Sequence, residues 1–153
     1  MVEVRSASLA DLPALVGLAR RMAAESPRFS RVTFVPAKFE ALIRSLIEGR
    51  LVGSVLVAEK SGEIVGMVAA LVVEHFFGAQ KTASDLGVYV APEHRGGSVA
   101  VKLVRALEQL VRAAGAVDLT LGVSTEIMAE RTADLYERLG YRRSGFSMLK
   151  ELY

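Results

Sequence analysis

Two periods govern the apolar positions of this chain. Val2 to Ser6 alternates and predicts a strand. Ser8-Leu9-Ala10-Asp11 reads as a capping box, because an acid three residues past a serine can reach back to the cap. Leu12, Leu15, Val16, Ala19, Met22 and Ala23 then recur at helical spacing, with Pro13 in or near the first turn, where its missing N–H is tolerated. Ser26 to Val35 is a loop, and Pro36 opens a second helix with Phe39, Leu42, Ile43, Leu46 and Ile47 on one face and Gly49 as its stop.

Beyond Gly49 the pattern becomes strand-like. Leu51 to Glu59 and Glu63 to Phe77 are extended runs joined by a hairpin turn at Lys60-Ser61-Gly62, and Thr82 to Val90 is the next strand. A helix follows, with Val99, Leu103, Leu107 and Leu110 inward, Lys102, Arg105, Glu108, Gln109 and Arg112 outward, and Gly115 as its C-terminal cap. Ala116 to Val123 is a strand that should run parallel to the preceding one, because a helix separates them. Ile127 to Leu139 is a helix ended by Gly140, and Tyr141 to Leu149 is a final strand. The order β-α-α-β-β-β-α-β-α-β argues an α/β fold: a mixed sheet with helices on both faces, one domain over 1–153.

Composition narrows the chemistry. Hydrophobic residues make up 52% of 153, which is dense enough for a substantial core. The longest nearly unbroken apolar run, Ile64 to Val73, falls well short of the roughly 20 residues a bilayer span needs. The N-terminus lacks the basic-then-apolar layout of a signal peptide, so a soluble cytoplasmic protein without a membrane partner is expected. With Cys 0 and His 2 there is no thiol nucleophile and poor material for a metal site. Basic residues are scattered at a net charge of +2, which argues against a nucleic-acid partner.

The chemistry concentrates where the Thr82–Val90 strand hands over to a helix through Arg95-Gly96-Gly97-Ser98. A helix start leaves unpaired N–H groups and about half a positive charge, so it can hold an anion. The glycines permit close approach, Ser98 can cap or donate, and Arg95 can add a charged contact. The same residues serve equally as a tight turn beside a solvated charge. Neither a P-loop nor a dinucleotide fingerprint is present.

The segment Val88-Tyr89-Val90-Ala91-Pro92-Glu93-His94-Arg95-Gly96-Gly97-Ser98-Val99-Ala100 resembles the acetyl-CoA-binding segment of the GNAT acetyltransferase superfamily, whose pattern is V-x-P-x-x-R-G-x-G-x-G/A. Leu135-Tyr136-Glu137-Arg138-Leu139-Gly140-Tyr141 resembles that family's LYERLGF helix end. Both signatures stand in the family's order, and the element order agrees over Val2 to Leu149. Two departures stand out: the family's central glycine is Ser98 here, and its frequent asparagine is Ala129, which removes one side-chain bond to the pantetheine arm.

The resemblance implies an acyl-CoA N-acyltransferase fold with a splayed central pair of parallel strands. Acetyl-CoA would be the co-substrate, with pantetheine along Val88, Tyr89 and Val90 and the phosphates on the amides of Arg95, Gly96, Gly97, Ser98, Val99 and Ala100. Acyl transfer needs a base, an oxyanion donor and an acid for the leaving thiolate. Tyr136 is the implied acid; packing of a helix end is its plain alternative. An N–H near Val88 is the implied oxyanion donor. Asp85 is the candidate base, although its parity sets it opposite Leu86 and Val88 unless a bulge intervenes. Solvent exposure or an ion pair explains Asp85 as well, and a water relay could replace it.

The family places the acceptor beside two loops, here Ser26–Val35 and Phe76–Ala83. Phe29, Arg31 and His75 are the candidate contacts. Arg28, Arg31 and Lys81 could favour a carboxylate or phosphate; Phe29, Phe34, Phe76 and Phe77 could clasp an apolar body. The expected activity is N-acetylation of a small-molecule or peptide amine. The alternatives are a binding or regulatory module that has lost catalysis, and an anion-binding structural domain. Dimerisation could run through the Ile64–Phe77 strand or by exchange of the last strands.

Overall fold

The computed structural model describes residues 1–123 and 125–153. Its framework is a five-stranded sheet in the order β1 (Val2–Ser6), β2 (Gly53–Lys60), β3 (Glu63–Glu74), β4 (Lys81–Val90) and β5 (Ala116–Thr120). The first three pairings are antiparallel and β4–β5 is parallel. The turn between β2 and β3 is Ser61-Gly62, both with positive φ, as the twist of a two-residue hairpin demands.

Helices α1 (Leu12–Glu25) and α2 (Pro36–Ile47) cover one face, and α3 (Val99–Ala113) covers the other. Covering both faces explains why β3 reads as a continuous apolar run rather than an alternation. Its odd positions Met67 and Ala69 join Leu15, Met22 and Ile43 in one core. Val68, Ala70 and Val72 join Leu103 and Leu107 in the second. The last helix, α4 (Ala129–Arg138), lies C-terminal to β5.

The capping box at Ser8 forms: the Ser8 N–H donates to Asp11 at 2.7 Å, and Arg5 holds both Asp11 oxygens at 2.8 and 2.9 Å. This places β1 against the start of α1.

Four sequence-based boundaries need correction, the simplest being β5, which ends at Thr120 where Val123 was expected because its pairing with β4 stops there. The strand expected over Tyr141–Leu149 is not formed; that segment carries no ladder, and Phe146 and Met148 are fully exposed. Alternation supplies a face but not a neighbour, and a strand requires a paired backbone. The segment is instead tied by side chains, Tyr141 donating to Glu108 at 2.9 Å and Arg143 Nε to Glu137 at 3.0 Å, and Arg31 pairs with Glu151 just beyond it. Strand β3 ends at Glu74, leaving His75, Phe76 and Phe77 in the turn before β4. Helix α4 starts at Ala129, after Met128 adopts a left-handed φ of 49°.

Candidate functional site

The approach to α3 is a cradle of unpaired amides. Gly96 has φ +85°, a conformation L side chains rarely adopt, and turns the chain toward the helix. The first backbone bond recorded at this helix start runs from the Lys102 N–H to the Ser98 carbonyl, at 2.9 Å. The N–H groups of Gly96 to Ala100 donate to nothing among the described residues. Donors aligned on a helix start suit a diphosphate.

The cradle opens into a cleft of about 240 Å³. Strand β4 contributes Asp85, Val88, Tyr89 and Val90; the turn contributes Arg95, Gly96 and Gly97; α3 contributes Val99 and Ala100; α4 contributes Arg131, Leu135, Tyr136 and Arg138. All the expected cofactor contacts therefore line one cleft except Ser98, which precedes α3, is exposed, and makes no capping bond with its side chain.

Arg95 has a different partner from the one expected. Its guanidinium holds both oxygens of Glu25 at the end of α1, at 2.5 and 2.9 Å, and its Nε donates to the Val90 carbonyl at 2.8 Å. It also lies 5.2 Å from the Tyr89 ring centroid, and the Tyr89 hydroxyl donates to Glu25 at 2.8 Å. The Arg95 hydrogen bond holds the Glu25 carboxyl below its usual range, and burial pushes the Tyr89 hydroxyl up to about 12. Arg95 thus braces the turn against α1, and the Val90 carbonyl is already an acceptor for it.

A cation other than Arg95 that faces the cradle is Arg131. Its Nη2 would stand 3.8 Å from a Cβ on Gly96. The acids of its own helix, Glu130, Asp134 and Glu137, are engaged by Arg143, and Arg131 has no ion pair among the described residues. Nothing in the sequence singles Arg131 out, since its relation to Gly96 is purely tertiary. The same holds for the Glu25–Arg95 pair, whose members lie 70 positions apart.

The parallel strands part where expected. Pairing of β4 with β5 ends at Ser84↔Thr120. Just beyond, the Gly122 N–H donates to Asp85 Oδ1 at 2.8 Å, so a carboxylate spans the opening. A bulge in β4 sits between Asp85 and Gly87, which pair with adjacent β3 residues. The bulge places Asp85 on the α3 side, with Val88 and Val90. Burial raises the Asp85 pKa, and the Gly122 bond opposes the shift in part. Tyr136, buried, lines the same cleft; burial first and the Asp85 charge second raise its pKa.

A second cavity, about 630 Å³, lies on the opposite side of β4. Its walls come from α1, the α1–α2 loop, α2 and β3, and Gly87 belongs to both cavities. Phe29 lines it. Arg31 does not, being paired with Glu151 outside, and Arg28, Lys81, Phe76 and Phe77 are also absent from the wall. His75 lies in neither cavity; its ring stacks on Phe76 at 4.8 Å and its Nδ1 accepts from the Phe77 N–H at 3.0 Å.

Among the described residues no cluster of three or more metal-ligating side chains occurs, and no helix is long and apolar enough to cross a membrane.

The chain is similar in sequence to curated N-acetyltransferases and in fold to solved acetyltransferase structures. N-acetyltransferase family 8 member 2 of Rattus norvegicus is 36% identical over 93 residues, 61% of this chain and 40% of that protein. N-acetyltransferase 8 of Homo sapiens is 32% identical over 91 residues, 60% of this chain and 39% of that protein. The chain thus matches about two fifths of the length of these curated relatives. Among solved structures, an aminoglycoside acetyltransferase from an uncultured soil metagenomic sample superposes with a TM-score of 0.73 at 24% identity, over 100% of this chain and 99% of that one. Glucosamine-6-phosphate N-acetyltransferase from Arabidopsis thaliana gives 0.78 at 16% identity, over 100% and 99%. The model of the acetyltransferase (GNAT) family matches residues 20–141, and the chain belongs to that family.

Proposed function

We propose that the chain transfers the acetyl group of acetyl-CoA to a primary amine by direct attack in a ternary complex. The observation that carries this reading is the run of amides from Gly96 to Ala100, unpaired among the described residues and opening into a cleft that contains both Asp85 and Tyr136. Those amides and Arg131 would hold the diphosphate, and the unpaired edge of β4 beyond Ser84 would receive the pantetheine amides as an added strand does. Bound acetyl-CoA supplies an acyl carbon activated by a thiol leaving group.

The amine lone pair attacks that carbon, the C–N bond forms and the C–S bond breaks. The nitrogen sheds one proton and the departing thiolate gains one. Tyr136 is the donor to sulfur: burial keeps its hydroxyl protonated across the working range. Asp85 accepts the proton from nitrogen through the oxygen not bonded to Gly122, and its raised pKa improves its match to that task.

The test is thiol release from acetyl-CoA across an amine panel, beside calorimetry with coenzyme A. Tyr136→Phe should bind coenzyme A normally and lose roughly 10²-fold or more in kcat. Unchanged turnover would remove Tyr136 from the mechanism. Gly96→Val, strained at φ +85°, should fold and fail to bind coenzyme A. A chain that binds coenzyme A but releases no thiol with any amine would be a binding module instead.

A further inference from the structure

The cavity on the far side of β4 is nearly devoid of polar side chains. Met22 from α1, Phe29 and Phe34 from the loop, Phe39 from α2, Met67 from β3 and Leu86 from the β4 bulge form its wall. Among the described residues Lys38 is its one charged lining residue, and no carboxylate lines it. Phe34 is fixed from two directions: its ring lies 6.2 Å from that of Phe39, and the Arg20 guanidinium sits 5.4 Å from its centroid.

The cavity is connected to the acetyl-transfer reading by one residue. Gly87 lies in the walls of both the cofactor cleft and the apolar cavity. A Cβ there would meet Met22 Sδ and Cε, which line the apolar cavity, at 3.7 Å. The bulge beside it turns Leu86 toward the cavity and Asp85 toward the cleft. The Gly87 end of the cavity thus lies within the splayed segment of β4.

The family resemblance places the acceptor beside the α1–α2 loop, which walls this cavity, and we propose that the cavity selects a primary amine carried on an apolar aryl or alkyl body. The proposal rests on the acetyl-transfer reading above. Polycationic amino sugars and basic peptides need several carboxylates or hydrogen-bond acceptors to replace their hydration, and among the described residues this wall offers no carboxylate and a single side-chain hydroxyl, that of Thr33. An apolar body gains by leaving water there. The same wall disfavours an ammonium over a neutral amine, which is the nucleophilic form.

The test uses the full chain, with 2-phenylethylamine, an aminoglycoside and a lysine-containing peptide as competing acceptors. Apolar amine is expected to exceed both others in kcat/KM by roughly tenfold or more, the scale on which hydrophobic pockets discriminate. Val32→Asp changes a lining residue that is 70% exposed, so the fold should tolerate it. Val32→Asp and Phe34→Ser should each raise the KM for 2-phenylethylamine several-fold and leave coenzyme A affinity unchanged. Preference for the aminoglycoside or peptide, or an unchanged KM in both variants, would overturn the proposal while leaving acetyl transfer standing. Calorimetry of 2-phenylethylamine on the coenzyme A-loaded protein adds a readout independent of turnover. Saturable heat lost in Phe34→Ser supports the cavity assignment even without catalysis, and no heat refutes it.

Discussion

Arg95 and Arg131 divide what the sequence attributes to Arg95 alone. Arg95 is committed to Glu25, the Val90 carbonyl and the Tyr89 ring, so its removal should loosen the turn, whereas Arg131 faces the amide cradle. Arg131→Gln is expected to weaken coenzyme A by roughly tenfold or more, the scale of one charge-assisted hydrogen bond, and to leave pantetheine binding unchanged. Calorimetry with both ligands checks it; equal losses would place Arg131 away from the phosphates. Asp85 invites a similar division. An Asn in its place can still accept from the Gly122 N–H, while Ala cannot. If Asp85 is the base, Asp85→Asn should lose the acidic limb of the kcat/KM–pH profile, a limb expected to rise through a pKa that burial lifts above aspartate's ordinary value. If it only bridges the strands, Asn should rescue what Ala destroys. Sequence parity alone set Asp85 on the wrong face, because a one-residue bulge at Leu86 is invisible to a period-two pattern.

At the scale of elements, the start of α1 stores pH-dependent stability. Asp11 is 8% exposed, and its hydrogen bonds with Arg5 hold its carboxyl down at about 2, below the ordinary aspartate value of 3.8. A depressed carboxylate stabilises the folded state above its unfolded pKa and loses that contribution as pH falls through the folded one. Stability should therefore decline between about pH 4 and pH 2 by on the order of 2 kcal/mol from this group. Asp11→Asn should flatten that part of a urea-denaturation series. Strand β2 starts with a tighter constraint. A Cβ on Gly53 would stand 2.1 Å from the Ala70 carbonyl oxygen and 2.8 Å from a Leu46 methyl. Gly53→Ala should thus cost roughly 1–3 kcal/mol, measurable as a lower denaturation midpoint. The capping box and the amphipathic faces of α1, α2 and α3 were legible because each is a local pattern. The strand expected over Tyr141–Leu149 was not, because its existence depended on a neighbour.

For the whole molecule, one sheet serves two cores, α1 and α2 on one side and α3 on the other. Losing the sheet exposes both, so thermal unfolding should show a single transition. Coenzyme A at about 100 times its Kd should stabilise the fold by roughly 2.7 kcal/mol, a clear upward shift in Tm; no shift would contradict the cradle. The sequence by itself determined the element order, the two-sided burial of β3 and the glycine turn leading into α3. Each follows from short-range rules: periodicity, capping and the freedom of a residue without a Cβ. Tertiary structure alone decided which arginine meets the cradle, which face Asp85 occupies, and that an apolar cavity backs onto the cleft at Gly87. These depend on residues tens of positions apart meeting across packed elements. No local pattern encodes which side chains become neighbours when a sheet bulges and its last two strands part.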